Sequence, residues 1–124
     1  MKMNNLQTSA YDKKISNILL QMGFMANNIG YQYLKVILSY VINEPKYLNC
    51  LTKKLYPLTA EQFNATPSSV ESAIRHSIAN VWAKNKIENI NRIIGINVFR
   101  SIYERPSNSE FIALIAEGIR SGLI

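Results

Sequence analysis

The sequence predicts an all-α fold, a compact helical domain of about six helices, and three observations carry that expectation. Apolar residues recur at three- and four-residue spacing along most of the chain, which marks one buried stripe on a helix. Strand-like alternation is almost absent; only 96–106, INVFRSIYERP, is dense in β-branched and aromatic residues, and an extended and an irregular path both stay open there. The breaks between periodic stretches fall at Gly23, Pro45, Pro57, Pro67 and Gly95, residues that end or open helices. With 124 residues the chain has the size of one domain, and 48% hydrophobic against 18% charged residues excludes a disordered chain.

Residues 1–10 are expected as a flexible lead-in, and 11–124 as a single helical domain. The first helix, YDKKISNILLQMGF, places Ile15, Ile18, Leu19 and Met22 on one face, and Gly23 can stop it in a left-handed cap. NNIGYQYLKVILSYVINEP is longer and more apolar, and is the candidate central element. Pro45 ends it, because proline lacks the donor and disfavours helix in the residue before it. KYLNCLTKKLYP is a third helix with Leu48, Leu51 and Leu55 inward, and Pro57 opens a short fourth over 57–63. TPSSVESAIRHSIANVW supplies a helix over 67–83, with Thr66 as N-cap and Pro67 at the first helical position. KIENINRIIG is ended by Gly95. SNSEFIALIAEGIRSGLI closes the chain, with Ser107 and Glu110 at capping-box spacing.

The bulk chemistry narrows the function. Fourteen Lys and Arg against eight Asp and Glu give a net charge of +6, which suits an anionic partner, nucleic acid first. One cysteine, Cys50, cannot make an internal disulfide, and no apolar run approaches the ~20 residues a bilayer needs. A cytoplasmic protein is expected, with no membrane association. The single histidine, His76, excludes a histidine metal cluster, and there is no glycine-rich phosphate loop or nucleophile with a base. Neither an enzyme nor a metal or other cofactor is expected.

Within 57–83 the residues fit a helix-turn-helix. Ala60 is small enough for two helices to approach, Asn64 tolerates the left-handed turn, and Val70 falls between the helices, with Phe63 and Ala73 filling neighbouring inward positions. Along 67–83, Val70, Ala73, Ile74, Ile78 and Val81 form the inward stripe. Ser77 lies within it and can bond back to a carbonyl one turn earlier. The outward side carries Ser68, Ser72, Arg75 and Ala79, flanked by Ser69, Glu71, His76 and Asn80. In such motifs the second helix enters the major groove of double-stranded DNA through its N-terminal part. The candidate DNA-contacting residues are Ser68, Ser69, Glu71, Ser72, Arg75 and His76, with Lys53, Lys84 and Lys86 as a basic rim for phosphates. Each has a plainer reading that stays open: a solvated charge or hydroxyl, or, for Glu71, an ion pair with Arg75 one turn on. Trp82, Tyr31 and Tyr33 are read as core, and Cys50 as a small buried residue.

AIRHSIANVW (73–82) resembles the recognition helix in the effector domain of the stage zero sporulation protein A family. ISNILLQMG (15–23), GYQYLK (30–35), LTKKLYP (51–57) and PSNSEFIA (106–113) match in order, so the resemblance spans nearly the whole chain. It implies an all-α domain with a helix-turn-helix that binds promoter DNA and regulates transcription at the start of sporulation. It also implies tandem or dimeric molecules touching through the last helix. Phe111, Ile112, Leu114 and Ile115 form a broad apolar surface, most of it expected as core, with Phe111, Ile112 and Ile115 the candidate self-association residues along one edge. Two departures stand out. Serines occupy positions 69 and 72, where the resemblance implies arginines, and Glu61 and Gln62 stand where it implies lysines. An altered site preference is therefore expected, since each arginine on a guanine is worth ~1–3 kcal/mol of discrimination. The phosphate-accepting receiver domain implied by the resemblance is not in this sequence, so the chain is expected to be either an excised fragment or a free-standing paralogue. The alternative function is a protein-interaction modulator that forms a heterodimer with a full-length relative and binds DNA weakly.

Overall fold

The computed structural model describes residues 5–84, 87–95 and 105–124. They form six α-helices and no strand: α1 (Asn5–Met22), α2 (Ile29–Asn43), α3 (Tyr56–Gln62), α4 (Pro67–Lys84), α5 (Ile87–Ile94) and α6 (Asn108–Arg120). The all-α expectation holds.

Helix α2 runs through the centre and packs against α1, α4 and α6. It buries residues on every side, from Tyr31 and Tyr33 to Leu38 and Val41, which is why its sequence reads as nearly continuous apolar residues. The Asn28 side chain caps it, accepting from the Gly30 amide at 2.8 Å. Helix α1 contributes the expected face, with Ile15, Ile18, Leu19 and Met22 all buried. It ends in a Schellman motif. Gly23 has φ 108°, its amide donates to the Leu20 carbonyl, and the Phe24 amide donates to Leu19. Phe24 then anchors the turn against Phe111, ring centroids 5.6 Å apart.

Four expectations need correction. Helix α1 begins at Asn5, ahead of the expected start at Tyr11; Leu6, Gln7 and Ala10 are good helix formers by sequence. The stretch expected as a third α-helix is a 3-10 turn (Pro45–Cys50) followed by one wide π turn (Leu51–Leu55), which leads directly into α3. Pro57 gives the reason. It has no amide to offer the Lys53 carbonyl, and its ring crowds that carbonyl. The backbone widens, and the Tyr56 amide bonds Leu51 five residues back. Leu51 and Leu55 still point inward, but Leu48 and Cys50 are only half-buried. Phe63 is not an inward residue: it is 37% exposed and meets Tyr33 edge-on at 5.1 Å.

The fourth correction concerns α6. Phe111, Ile112 and Ile115 are fully buried. Exposing side chains of this kind to make an association surface costs about 1.5–3 kcal/mol each. They belong to the core against α2, and the exposed positions of α6 are Ser109, Glu110, Glu117 and Arg120. The expected capping box is present: Ser107 accepts from the Glu110 amide at 3.2 Å, and Glu110 accepts from the Ser107 amide at 2.8 Å. The β-branched stretch 96–106 lies outside the described residues except for Arg105 and Pro106.

Candidate nucleic-acid interface

The connection between α3 and α4 follows from a few residues. Ala60 and Val70, both buried, let the two helices close on each other. Asn64 adopts φ 54°, the left-handed region, and the Ala65 amide returns to the Ala60 carbonyl at 2.8 Å. This is again a Schellman ending, with asparagine in the place glycine usually takes. Thr66 then caps α4: its hydroxyl accepts from the Ser69 amide at 3.1 Å. Ser69 answers by accepting from the Thr66 amide at 3.2 Å and donating to the Thr66 carbonyl at 2.8 Å. Ser69 therefore does the work a glutamate does in the usual capping box. Sequence reasoning assigned it only to DNA or solvent, although the Thr-x-x-Ser spacing was there to be read.

Helix α4 buries Val70, Ile74, Ser77, Ile78, Val81 and Trp82. Ser77 does not bond back one turn; its hydroxyl donates to the Asn28 side chain at 2.9 Å, tying α4 to the cap of α2. On the other side, Ser68, Ser69, Arg75, His76 and Asn80 are exposed, and Ser72 and Ala79 are partly so. The middle of that face carries short side chains, so a flat or concave surface can approach the helix closely. Glu71 and Arg75 are paired in the free protein, with Arg75 Nη1 2.5 and 2.6 Å from the two carboxylate oxygens. Arg75 Nη2 also reaches the Ser72 hydroxyl at 3.4 Å. Both partners are largely open to solvent, so the pair is worth only a few tenths of a kcal/mol and is readily exchanged.

A surface cleft lies beside Arg75, between the 3-10 and π turns and the start of α6. Lys53 and Arg75 line it together with Arg105, which sequence reasoning had not singled out, and with the carboxylates of Glu71 and Glu110. Leu51 and Tyr56 form its inner wall. Burial holds the Tyr56 phenol above its ordinary pKa, so it stays a neutral hydrogen-bonding group. Lys84 does not join this cluster. It is nine residues beyond Arg75, about 14 Å along the axis and roughly 180° around it. Lys86 lies outside the described residues. Among the described residues no group of metal-ligating side chains occurs, and no helix is long and apolar enough to cross a membrane.

Two helices joined through a left-handed asparagine, the second presenting an open polar face beside a cleft of mixed charge, define a helix-turn-helix domain. Residues 15–119 match the family described as "Sporulation initiation factor Spo0A C terminal", and the chain belongs to that family. It is a family of DNA-binding effector domains of sporulation regulators and not a family of enzymes. The chain is accordingly a double-stranded-DNA-binding transcription-regulatory domain.

Proposed function

We propose that the chain reads duplex DNA by seating the outward face of α4 in the major groove, with Arg75 and His76 as its principal anchors. The observation that carries this is the shape of that face: exposed Arg75 and His76 rise from a strip of Ser68, Ser72 and Ala79. Ser68 and Ser72 lie at the groove floor or wall, and Glu71 steers Arg75 or accepts from a cytosine amino group. Lys53, Arg75 and Arg105, gathered around one cleft, take phosphates on one flank, and Lys84 takes them on the other.

The site preference differs from that implied by arginines at positions 69 and 72. Ser69 is held by its own cap, and Ser72 is too short to make a bidentate contact with guanine. Specificity then rests on fewer direct contacts. Selection of sites from random duplex DNA at two salt concentrations tests the reading. A defined motif whose enrichment survives at the higher salt is the expected result. Enrichment of nothing, with binding that vanishes as salt rises, refutes sequence reading. It favours instead a modulator that acts by pairing with a full-length relative, for which complex formation in a titration is the direct check.

A further inference from the structure

We infer that Asn108 is a positioning residue for DNA recognition: it fixes the pose of α4 by hydrogen-bonding the backbone of the recognition helix from the first residue of α6. The inference rests on the DNA-reading role of α4 proposed above. Asn108 Nδ2 donates to the Glu71 carbonyl at 3.0 Å and to the Tyr56 hydroxyl at 3.2 Å. One amide thus joins the start of α3, the first half of α4 and the start of α6, across sequence separations of 52 and 37 residues.

The amide's orientation is set by its partners. A carbonyl such as that of Glu71 can only accept, so the nitrogen of Asn108 must face it. The Asn108 oxygen is buried and has no hydrogen-bond partner. A buried acceptor left unmatched is unfavourable, and an apolar side chain would fill the same space without that cost. What the amide adds is a directional contact to a chosen carbonyl. That carbonyl belongs to Glu71, whose side chain holds Arg75, so the tether sits directly beneath the candidate reading head. On the opposite flank the Ser77 bond to Asn28 holds the same helix to α2. The recognition helix is therefore gripped from two sides by polar contacts, in addition to its apolar packing. Packing alone permits small slides and rotations, whereas a hydrogen bond loses strength within a few tenths of an ångström and tens of degrees. A groove-reading helix needs that restraint, because base-edge contacts are bidentate and angular.

The test uses the full chain with Asn108→Asp and Asn108→Leu. Aspartate keeps the shape and suits a helix start, while leucine fills the space without charge; neither donates to Glu71. Tyr56→Phe keeps the bond to Glu71 and serves as the conservative comparison. Affinity is measured for a duplex carrying the selected motif and for a random duplex, and amide exchange in 72–75 is measured without DNA. The expected result for both Asn108 variants is a drop of about fivefold in the ratio of the two affinities, with faster exchange in 72–75. Tyr56→Phe is expected to keep most of the ratio. An unchanged ratio in folded variants overturns the inference, and so does global unfolding of both, which would make Asn108 a stability residue only. If the wild-type chain shows no preference for any duplex, the DNA-reading role fails on its own account. The exchange data then decide: unchanged protection in 72–75 removes the tether as well, and faster exchange retains it.

Discussion

Gly30 sets how closely α2 and α4 approach, and replacing it with alanine tests that contact directly. A Cβ built at Gly30 falls 2.0 Å from the Ser77 hydroxyl oxygen, 2.9 Å from Ser77 Cβ and 2.6 Å from the Ala73 carbonyl oxygen. The hydroxyl can turn away at the loss of its bond to Asn28, but the carbonyl is part of the α4 ladder and cannot. Ordinary contact begins near 3.4 Å, so α2 must withdraw from α4 by about 0.8 Å. Forcing one methyl into a packed interface costs about 1–3 kcal/mol. Alanine's better helix propensity returns at most ~1 kcal/mol, and less here because Gly30 is the second residue of its helix. The net expectation is a loss of about 1–2 kcal/mol, which for a chain of this size is a fall of about 4–8 °C in Tm. Thermal unfolding followed by circular dichroism measures it. Adding Ser77→Ala relieves the hydroxyl clash but not the carbonyl one, so the double variant recovers only part of the loss. A Tm equal to or above wild type in Gly30→Ala refutes the close approach and the grip on α4 that depends on it.

Other outcomes follow from the same contacts. Arg75→Ala is expected to weaken duplex binding and to flatten the slope of log K against log salt by about 0.9, one phosphate's worth; an unchanged slope removes Arg75 from the phosphate contacts. Ser69→Ala leaves the Thr66 amide without its acceptor and is expected to lower stability by about 0.5 kcal/mol, or roughly 2 °C in Tm. An unaltered Tm would show that water replaces the hydroxyl without loss. The Ser107 amide and hydroxyl hold the Glu110 carboxyl below its ordinary 4.5. A depressed folded-state value means a stabilisation fully present above that ordinary value and lost as pH falls through the lower one. Glu110→Gln is therefore expected to remove part of the acid-side pH dependence of unfolding while leaving the neutral-side curve parallel to wild type.

Much of this architecture was legible because helices announce themselves locally. The stripe of α4, the endings at Gly23 and Pro45, the cap at Ser107 and the left-handed Asn64 all depend on residues within a few positions of one another. The failures share a different origin. Phe111, Ile112 and Ile115 look like a sticky face until α6 is known to lie against α2; periodicity says which residues share a side, not whether that side meets protein or solvent. The π turn arises from a conflict between Pro57 and the ladder before it, and spacing alone cannot say whether such a conflict breaks, kinks or widens a helix. At the candidate interface, the exposed serines and the Glu71–Arg75 pair were readable. The contacts from Asn108 and Asn28 join residues dozens of positions apart and leave no local trace in a single sequence.

The wide turn at Leu51–Leu55 has one more consequence. It holds one residue more than an α-helical turn requires, so it sets a phase difference between the chain before it and α3. Deleting a residue there would swing everything upstream by about 100° relative to the helix-turn-helix and would leave Pro57 in conflict with the carbonyl four residues before it. Lys53 and Leu51 would then face elsewhere, and the groove they share with Arg75 would close. The extra residue works as a spacer that decides which side chains of the preceding turns face the cleft beside Arg75.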